Sequence, residues 1–562
     1  MQLRRLALSV VMSIAAARAA MGQELRGVVT DSANGQPVVG AVLLLLDSAG
    51  GVVTRNIANE LGRYRVLLVD GVRHVRFLRI GYRPREVTIP ASSNGIAQLD
   101  VRMAPVPAFL APVHVVAGAN CPRRSDRDAA FALWEQARDG LLATVVAREA
   151  KPASLIRLRY ERARDGPSLE DRILRQQVLL DSAERATTSF VAAHAARDFV
   201  RQGFVRVSGD TGAFYGPDAD ALLDEEFAAG YCFRVADRDR RRANQVGLAF
   251  APANRRRGRI DIEGVLWIDT VARALRDIEY GYVGLDDRST HMVHPGGIIS
   301  FAEMPNGVVL IDRWSIRMPQ AEVDSARHYR GALFRVQLTV REVGGEIARA
   351  SWPDGTVWIA PLGALWLHVV DREGKPATRL LVRLADTDYG SSTDSVGDLK
   401  IRYLLPGPYS VTVLDSALAT VGVAFGTPMR LVAQRDSVIH ATLSAPSLDE
   451  FTTETCGGAP ALMVSARPVS GDPAWLLVLV VGKEGRRITD ANWELRRQAG
   501  SAWTLLASGH GTGKKGLEHY CWRTTIGDAI QVRVWRDGNA PSVVSHDIVQ
   551  RNTVLRVELP PQ

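Results

Sequence analysis

The sequence predicts a mainly β protein with several antiparallel β-sandwich domains and a middle domain in which an antiparallel sheet carries one or two helices. Most of the chain alternates apolar and polar residues in short runs, which is the period of half-buried strands. Turn-forming pairs such as Asn34-Gly35 and Asp70-Gly71 separate the runs, as in antiparallel hairpins. The 562 residues are enough for about three to five domains, so a single compact domain is not expected.

The composition is that of folded domains rather than of a disordered chain or a polytopic membrane protein. Hydrophobic residues make up 46% and charged residues 23% of the chain, and the mean hydropathy is -0.03. The chain has 69 Lys and Arg against 61 Asp and Glu, a net charge of +8. Subtracting Arg4, Arg5 and Arg18, which lie in a segment expected to be removed, leaves 8 − 3 = +5. This dispersed surplus predicts no nucleic-acid partner.

The first 22 residues have the order of a secretory signal peptide. Arg4 and Arg5 precede an apolar run, and small residues follow up to Gly22, where we expect cleavage. A membrane anchor is the competing interpretation, but Arg18 interrupts the run before it reaches the length of a span. We therefore expect an exported protein without a transmembrane span in the mature chain. Its location would be periplasmic, associated with the outer membrane, or extracellular.

The segment 23–104 alternates throughout and contains four short motifs. Asn34-Gly35 suits a turn with positive φ, Pro37 can only begin or edge a strand, and Gly62 bends the chain before Tyr64 enters the core. The motifs are Gly27-Val-Val-Thr-Asp31, Gly35-Gln-Pro37-Val-Val-Gly40-Ala41-Val42, Asn59-Glu-Leu-Gly62-Arg-Tyr64 and Ile80-Gly81-Tyr82. Together they resemble the carboxypeptidase regulatory-like domain. The resemblance implies a seven-stranded β-sandwich of a kind found beside peptidases and at the front of outer-membrane receptors.

A related pattern returns at 364–446 and resembles a second copy of the same domain. It comprises 370–376, 394–399 and 405–413, but it lacks the Gly-Ala pair after Pro376 and the Gly-Tyr pair near the end. Prealbumin-like, Ig-like and starch-binding-like sandwiches are the neighbours this implies, and they make sugar binding conceivable.

Two aromatic residues of that copy are candidates for stacking on a sugar ring. Trp366 and Tyr409 both occupy strand positions. Packing in the core is the other interpretation of each ring.

The segment 459–562 alternates again and predicts a further sandwich. The candidate strands are 475–481, 493–497, 530–535 and 554–559.

The middle domain, 121–345, begins with a predicted helix and continues as an antiparallel sheet. Ser125 starts a capping signature, and apolar residues from Ala130 to Val145 recur at helical spacing. The helix either covers its own sheet, which we favour, or docks a partner. The region from Phe214 to Tyr280 resembles part of uncharacterised exported bacterial proteins, which implies architecture and no activity. Its acidic stretch, 218–226, predicts a short capped helix rather than a cation site.

Two arginine clusters flank the strand predicted near 245–251. They form either solvated hairpin loops or a patch for anionic lipid headgroups or acidic polysaccharide. The candidate patch consists of Arg240, Arg241, Arg242, Arg255, Arg256 and Arg257.

The four cysteines predict disulfides in an oxidising compartment. Three pairings are possible for Cys121, Cys232, Cys456 and Cys521. We favour Cys121 with Cys232 and Cys456 with Cys521, because each pair then falls within one segment of the domain division.

No motif predicts catalysis or a cofactor. No His is followed three residues later by Glu, as a zinc carboxypeptidase would require, and His291 and His294 lack a third metal ligand. The segment 509–516 is similar to a phosphate loop, but Lys515 replaces the metal-binding hydroxyl, so a hairpin loop is favoured. The sequence therefore predicts a non-catalytic envelope module for binding, scaffolding or accessory work. The alternatives are a carbohydrate-binding envelope protein and an accessory component of a TonB-dependent outer-membrane transporter.

Overall fold

The computed structural model describes most of the chain in two compact units, residues 1–360 and 361–562, each of which is described by itself. The described ranges are 23–106, 127–165, 172–186, 195–208, 211–254, 258–285, 295–323, 336–414, 428–447 and 470–560, without positions 93, 372, 446, 483–487, 489, 512–518 and 551. The protein is mainly β, as the sequence predicts. Within the described residues, no helix is long and apolar enough to cross a membrane.

The N-terminal segment forms a sandwich, here called the first sandwich. Its strands are β1 (Glu24–Asp31), β2 (Val42–Leu46), β3 (Val52–Ile57), β4 (Arg63–Leu67), β5 (His74–Leu78), β6 (Arg85–Thr88), β7 (Ile96–Gln98) and β8 (Val101–Met103). One sheet has the order β4-β1-β7, with β8 also on β1, and the other has the order β3-β2-β5-β6. Because β7 and β8 pair with successive parts of β1, they form one interrupted last strand. Leu25, Tyr64 and Phe77 lie in the core between the sheets.

The middle of the chain forms a ten-stranded antiparallel sheet with helices on one face. The helices are α1 (Arg127–Ala150), α2 (Ala196–Gln202), α3 (Ala219–Leu223) and α4 (Glu225–Gly230). The strands are β9 (Ala153–Arg164), β10 (Ile173–Ala186), β11 (Val205–Ser208), β12 (Thr211–Phe214), β13 (Tyr231–Val235), β14 (Gln245–Pro252), β15 (Asp261–Asp269), β16 (Ala274–Val283), β17 (Gly296–Glu303), β18 (Val309–Val323), β19 (Val336–Ser351) and β20 (Val357–Ile359). The order is β10-β9-β19-β18-β17-β16-β15-β14-β13, β20 pairs with β19, and β11 and β12 form a separate ribbon.

The acidic stretch forms helices, as predicted, but two of them rather than one. Asp218 caps α3 by accepting a hydrogen bond from the Ala221 amide at 2.8 Å. Asp224 ends α3 and caps α4, since its carboxylate accepts from the amides of Glu226 and Phe227. These carboxylates serve the helix ends, where backbone N–H groups have no partner within the helix.

Helix α1 lies between the first sandwich and the ten-stranded sheet. Leu133 and Leu141 belong to a single buried cluster that also contains Leu44 of the sandwich and Ile278 of the sheet. A Cβ added at Gly140 would lie 2.6 Å from Ile80 Cδ1 and 3.0 Å from Leu275 Cβ, so the helix passes closely between the two layers. The helix therefore covers its own sheet, as predicted, and it also covers the β3-β2-β5-β6 sheet of the sandwich.

Polar contacts reinforce this docking around two turns of the sandwich. Arg79 donates to Glu303 at 2.9 Å, and both side chains are largely buried. Arg273 lies 3.6 Å from Asp31 and stacks over the ring of Tyr82 at 4.8 Å. The Tyr82 hydroxyl donates to Asp31 at 3.0 Å. The Ile80-Gly81-Tyr82 motif of the sequence thus lies at the contact with the sheet.

One carboxyl at this contact has no hydrogen-bond partner for one of its oxygens. Asp139 of α1 is 6% exposed, and its Oδ2 has no partner within the described residues. It lines a cavity of about 10 Å³ together with Arg79 and Glu303. Burial raises the pKa of Asp139 to about 7, with Glu135 adding to the rise and Arg138 opposing it.

The second unit contains the second sandwich, β21 to β27, and the third sandwich, β28 to β34. The strands of the second are β21 (Gly363–Val370), β22 (Leu381–Leu384), β23 (Gly390–Ser392), β24 (Asp398–Leu404), β25 (Gly407–Leu414), β26 (Met429–Ala433) and β27 (Val438–Ser444). The strands of the third are β28 (Pro473–Val481), β29 (Asn492–Ala499), β30 (Ala502–His510), β31 (His519–Thr525), β32 (Ala529–Trp535), β33 (Ser542–Asp547) and β34 (Asn552–Glu558).

All three sandwiches have the same strand order. The sheets are β24-β21-β27 with β23-β22-β25-β26, and β31-β28-β34 with β30-β29-β32-β33. In each sandwich, the first strand pairs antiparallel with the fourth and parallel with the last. The third sandwich thus repeats a topology that its sequence motifs do not show.

A glycine turn before the fourth strand recurs in the first two sandwiches. Gly62 and Gly397 have φ of 66° and 78°, and an added Cβ would lie 2.4 Å from Val29 O and 2.6 Å from Val369 O, respectively. The carbonyls of both glycines accept hydrogen bonds at 2.8 Å, from the amides of Val29 and Val369. The side chain of the residue three positions earlier, Asn59 or Asp394, accepts from the turn amides. This shared geometry supports the second copy that the sequence pattern indicates.

Candidate binding face on the second sandwich

The outer face of the β24-β21-β27 sheet carries an exposed row of three side chains, here called the Trp366 row. Trp366 of β21 pairs with Lys400 of β24 on one side and with His440 of β27 on the other. The row lines an open groove of about 370 Å³. A next row, in which His368 pairs with Asp398 and Thr442, lines the same groove.

The alternation of β21 explains why these side chains point outward. Leu365, Leu367 and Val369 are buried in the sandwich, so Trp366 and His368 take the opposite face. The indole of Trp366 is 42% exposed, which is high for so large an apolar residue.

Polar and cationic groups surround the indole. Lys400 Nζ lies 4.4 Å from the ring centroid, within cation–π range. The His440 ring meets the indole edge to face at 5.0 Å. In the next row, His368 Nδ1 lies 2.7 Å from Asp398 Oδ1, so the imidazole is held in one orientation. The face combines an apolar platform with donors and acceptors at fixed positions.

The first strand of the third sandwich also carries a tryptophan beside a cation, two residues before the position equivalent to Trp366. In the third sandwich, Trp475 pairs with Arg523 and Asn552, and the Arg523 guanidinium lies 5.2 Å from the Trp475 ring. The second and third sandwiches therefore both place a tryptophan beside a cation on the first strand of this sheet.

The first sandwich carries charge in place of the aromatic ring. Arg26 pairs with Arg65 and Gln98 and lines an open groove of about 490 Å³. Glu24 binds both guanidiniums, and their hydrogen bonds lower the pKa of Glu24 to about 2. An internal carboxylate thus already neutralises much of this face.

Of the two predicted stacking residues, only Trp366 is available to a ligand. Tyr409 is 4% exposed, its hydroxyl donates to Leu405 O at 2.9 Å, and its ring packs edge to face on Tyr389. The stacking role predicted for Tyr409 is therefore wrong, because the ring lies in the core. The sequence analysis missed Lys400 and His440, because only the strand register places them beside Trp366.

The predicted anion patch does not include Arg242. Its guanidinium donates to Gln245 at 2.7 Å and to Asp277 at 2.9 Å, and it also binds Glu279. It stacks over the Trp267 ring at 4.8 Å, so this arginine stabilises the sheet. Arg240 and Arg241 are exposed, whereas Arg255, Arg256 and Arg257 lie outside the described residues. The described residues therefore do not form a patch of six arginines.

A buried ionic cluster on the ten-stranded sheet is satisfied by its own members. Glu342, 2% exposed, accepts a hydrogen bond from the Tyr160 hydroxyl at 3.1 Å and another from Arg164. Arg162 donates to Gln176 at 3.1 Å. Breaking such a cluster leaves a buried charge without a partner, so its evident role is to hold β9, β10 and β19 in register.

Neither described cysteine is a free thiol. Cys232 and Cys521 are both disulfide-bonded. No disulfide has both sulfurs within the described ranges, and the partners we predict, Cys121 and Cys456, lie outside them. The pairing stays a prediction.

The described residues contain no group of three His, Cys, Asp or Glu side chains placed to hold a metal ion. His291 and His294 lie outside these ranges. Gly509 and His510 end β30, and β31 begins at His519 in the other sheet of the third sandwich. The segment that is similar to a phosphate loop thus connects two sheets rather than closing a hairpin, because its flanking strands do not pair.

A comparison with protein-family models gives a match at residues 24–104. These residues are a carboxypeptidase regulatory-like domain. The regulatory-like domain is the first sandwich, and it covers about one seventh of the chain, since 81 of 562 residues match. No curated protein matches the chain.

Solved structures with similar parts are pilin-like β proteins of Gram-positive bacteria. They include the Bacillus anthracis TIE protein, with 8% identity, a TM-score of 0.16, and coverage of 63% of this chain and 64% of that chain. A Streptococcal ancillary pilin gives 9% identity, a TM-score of 0.16, and coverage of 44% and 92%. The major pilin subunit of Bacillus cereus gives 9% identity, a TM-score of 0.15, and coverage of 76% and 99%. This chain therefore spans less than two thirds of the TIE protein, and matches at this level carry no information about ligand or assembly.

Proposed function

We propose that the protein is an exported, non-catalytic binding protein of the cell envelope and that the Trp366 row is its ligand face. The observation that carries the proposal is the 42% exposed indole of Trp366 between Lys400 and His440. An exposed tryptophan with polar groups arranged around it is costly to leave in water and suits a ligand with both apolar and polar faces.

A saccharide is the ligand class that fits this face. The C–H face of a pyranose ring packs on an aromatic ring, while its hydroxyls need donors and acceptors at the rim. Lys400, His368 and Thr442 supply them along the groove. The groove volume of about 370 Å³ lies within the range of small-molecule sites, about 300 to 1,000 Å³.

The cation beside each tryptophan favours a saccharide that carries an anionic group. Lys400 lies over Trp366, and Arg523 lies over Trp475 on the first strand of the third sandwich. A sugar carboxylate or sulfate would pair with the ammonium of Lys400 as the ring stacks on the indole. Acidic envelope polysaccharide is thus preferred to neutral glycan.

The test is calorimetric titration of the full chain with acidic and neutral oligosaccharides. We expect Trp366→Ala to weaken binding at least about tenfold, since tenfold corresponds to about 1.4 kcal/mol and burial of an aromatic ring contributes more than this. Lys400→Ala should weaken binding of the acidic ligand and leave the neutral one little changed.

Two variants control for the fold. Val432, 65% exposed on the other sheet of the second sandwich, is changed to Ala, and the buried Tyr409 is changed to Phe. Neither should alter affinity. Equal binding by wild type and Trp366→Ala would contradict the proposal.

An accessory role at an outer-membrane transporter is the alternative, because regulatory-like domains are also found at the front of outer-membrane receptors. It predicts that a pull-down from envelope extract recovers one stoichiometric barrel protein. That partner should be retained by Trp366→Ala, whereas a glycan-mediated association should be lost.

A further inference from the structure

Two histidines lie on the face that the proposed function assigns to a ligand. His440 belongs to the Trp366 row, and His368 belongs to the next row, in the same groove. Each is the only titratable side chain of its strand, and each is accessible to solvent. Histidine is the residue type whose ordinary pKa, about 6.5, puts its change of charge between about pH 5 and 8. The groove therefore contains two side chains of the type that changes charge near neutral pH.

The fixed charges around the two imidazoles balance each other. On β24 the outward positions are Asp398, Lys400 and Arg402, which alternate with buried residues. The turn before β24 adds Asp394, whose pKa is lowered by hydrogen bonds from backbone amides of that turn and, less strongly, by the charges of Lys400 and His368. Two cations therefore stand against two carboxylates, and the face carries no net charge while both imidazoles are neutral.

Protonation of His440 places a second cation beside the indole. Lys400 Nζ lies 4.4 Å from the ring centroid of Trp366, and the His440 ring centroid lies 5.0 Å from it. Because β24 and β27 lie on opposite sides of β21, these two groups flank the indole. An anionic ligand stacked on Trp366 then meets one permanent cation and one cation that depends on pH.

Protonation of His368 acts on the same ligand through Asp398. His368 Nδ1 lies 2.7 Å from Asp398 Oδ1, and the two side chains are 41% and 50% exposed. An imidazolium forms a charge-assisted hydrogen bond with a carboxylate and offsets its charge. Without that positive charge, Asp398 repels an anionic group in the groove.

We propose that the Trp366 row is a pH-dependent site, which binds an acidic saccharide more tightly at about pH 5.5 than at about pH 8 because His440 and His368 become cationic. This inference rests on the proposed function and adds its regulation. The net charge of the face rises from zero to +2 when both imidazoles are protonated. A neutral saccharide stacks on the same indole without responding to these charges. The protein thus captures acidic polymer in acid surroundings and releases it near neutral pH.

Calorimetric titration of the full chain from Gln23 with a chondroitin sulfate tetrasaccharide tests the proposal. The sulfate and carboxylate groups of this probe stay ionised between about pH 5.5 and 8, so a change in affinity comes from the protein. One exposed ion pair changes affinity by up to about fivefold, so the dissociation constant should be at least about threefold lower at about pH 5.5. The same tetrasaccharide, desulfated and with its carboxyls reduced, should bind equally at both pH values.

Proton uptake tests the mechanism separately from affinity. Linkage requires that a ligand which prefers the cationic form of the face takes up protons when it binds. Titrations at about pH 6.5 in two buffers with different enthalpies of ionisation measure this number. We expect a positive number, up to about two, for the sulfated probe and none for the neutral probe.

Histidine variants assign the effect to the two imidazoles. His440→Asn and His368→Asn stay polar but cannot gain a charge, so each should reduce the pH effect, and the double variant should abolish it. His440→Lys is charged at both pH values and should bind the sulfated probe about twofold to fivefold more tightly than wild type at about pH 8, which a purely structural role would not produce. The matched control is His546→Asn, at an exposed position on β33 of the third sandwich, which should keep the full pH effect.

The outcomes separate this inference from the proposed function. If Trp366→Ala loses binding but wild type binds equally at both pH values, only the pH dependence is wrong. An undiminished pH effect in the double histidine variant also contradicts it. If Trp366→Ala binds as wild type does, or if the sulfated probe binds at neither pH, both proposals fail. Circular dichroism at both pH values checks each fold, and His440→Gln replaces His440→Asn if that variant does not fold.

Discussion

We predict that Asp139 makes the stability of the unit that contains the first sandwich fall as the pH rises. Its carboxyl is 6% exposed at the contact between α1, the sandwich and the ten-stranded sheet. Burial raises its pKa from 3.8 to about 7. Between these two values the folded state keeps the proton and the unfolded state has released it. Because the folded state binds more protons, its stability falls as the pH rises through this window.

The penalty follows from the difference between the two pKa values. At about 1.36 kcal/mol per pH unit, a rise from 3.8 to about 7 costs the folded state at most about 4 kcal/mol once Asp139 is ionised. Asp139→Asn carries no charge at any pH and has nearly the same shape. The variant should equal wild type below about pH 4 and exceed it by up to about 4 kcal/mol above about pH 7.

Differential scanning calorimetry of wild type and Asp139→Asn at low and high pH measures this difference. For a unit of this size, 1 kcal/mol shifts the transition by roughly 1 to 2 °C, so we expect a gain of about 4 to 8 °C at about pH 8 and none at about pH 4. Asp128→Asn, at an exposed position in the first turn of α1, is the control and should give no gain. An Asp139→Asn variant that is no more stable than wild type at high pH would refute the reasoning.

Three further predictions concern the turns, the docking and the disulfides. Gly62→Ala and Gly397→Ala should each cost more than about 2 kcal/mol in urea unfolding, because the added methyl meets a backbone carbonyl, whereas Gly35→Ala, with open space around it, should cost only about 1 kcal/mol for its positive φ. Arg273→Ala should speed backbone hydrogen exchange at residues 80–82, because it removes the ion pair and the ring contact that hold that turn. Unchanged exchange would show that these contacts do not stabilise the turn. Non-reducing peptide mapping should find both predicted disulfides, and a bridge between the two units would show the pairing to be wrong.

The strands were predictable where alternation and turn residues agree. Predicted strands at 475–481, 493–497, 530–535 and 554–559 match β28, β29, β32 and β34 to within a few residues. Strand β30 was missed, because Ala502 to His510 has no regular alternation of apolar and polar residues.

One apolar run in the sequence indicates that another layer packs on the first sandwich. Val42 to Leu46 is five apolar residues in a row, and all five are buried. A strand covered on one face alternates, whereas a strand covered on both faces is apolar throughout. This run therefore indicates that both faces of the β3-β2-β5-β6 sheet are covered, although it does not identify α1 as the covering element.

The binding face needed information that no local pattern contains. Trp366, Lys400 and His440 are separated by more than thirty residues in each step and meet only through the parallel pairing of β21 with β27 and the antiparallel pairing with β24. Trp366 and Tyr409 look alike in sequence, yet one lies on the outer face and the other in the core, because the inward face of each strand is set by the packing of the whole sandwich.

The parallel pairing of first and last strands decides how each sandwich responds to tension. Since β21 and β27 run side by side in the same direction, the chain enters the sandwich at one end of this pair and leaves at the other. Pulling on the two ends slides the strands past each other, so the hydrogen bonds along the seven paired positions from Ala364 to Val370 are loaded together rather than opened one at a time. The same holds for β28 with β34 and for β1 with its interrupted last strand. Each sandwich is thereby built to resist stretching along its length, and its lifetime under load is set by the rate at which that whole set of bonds ruptures.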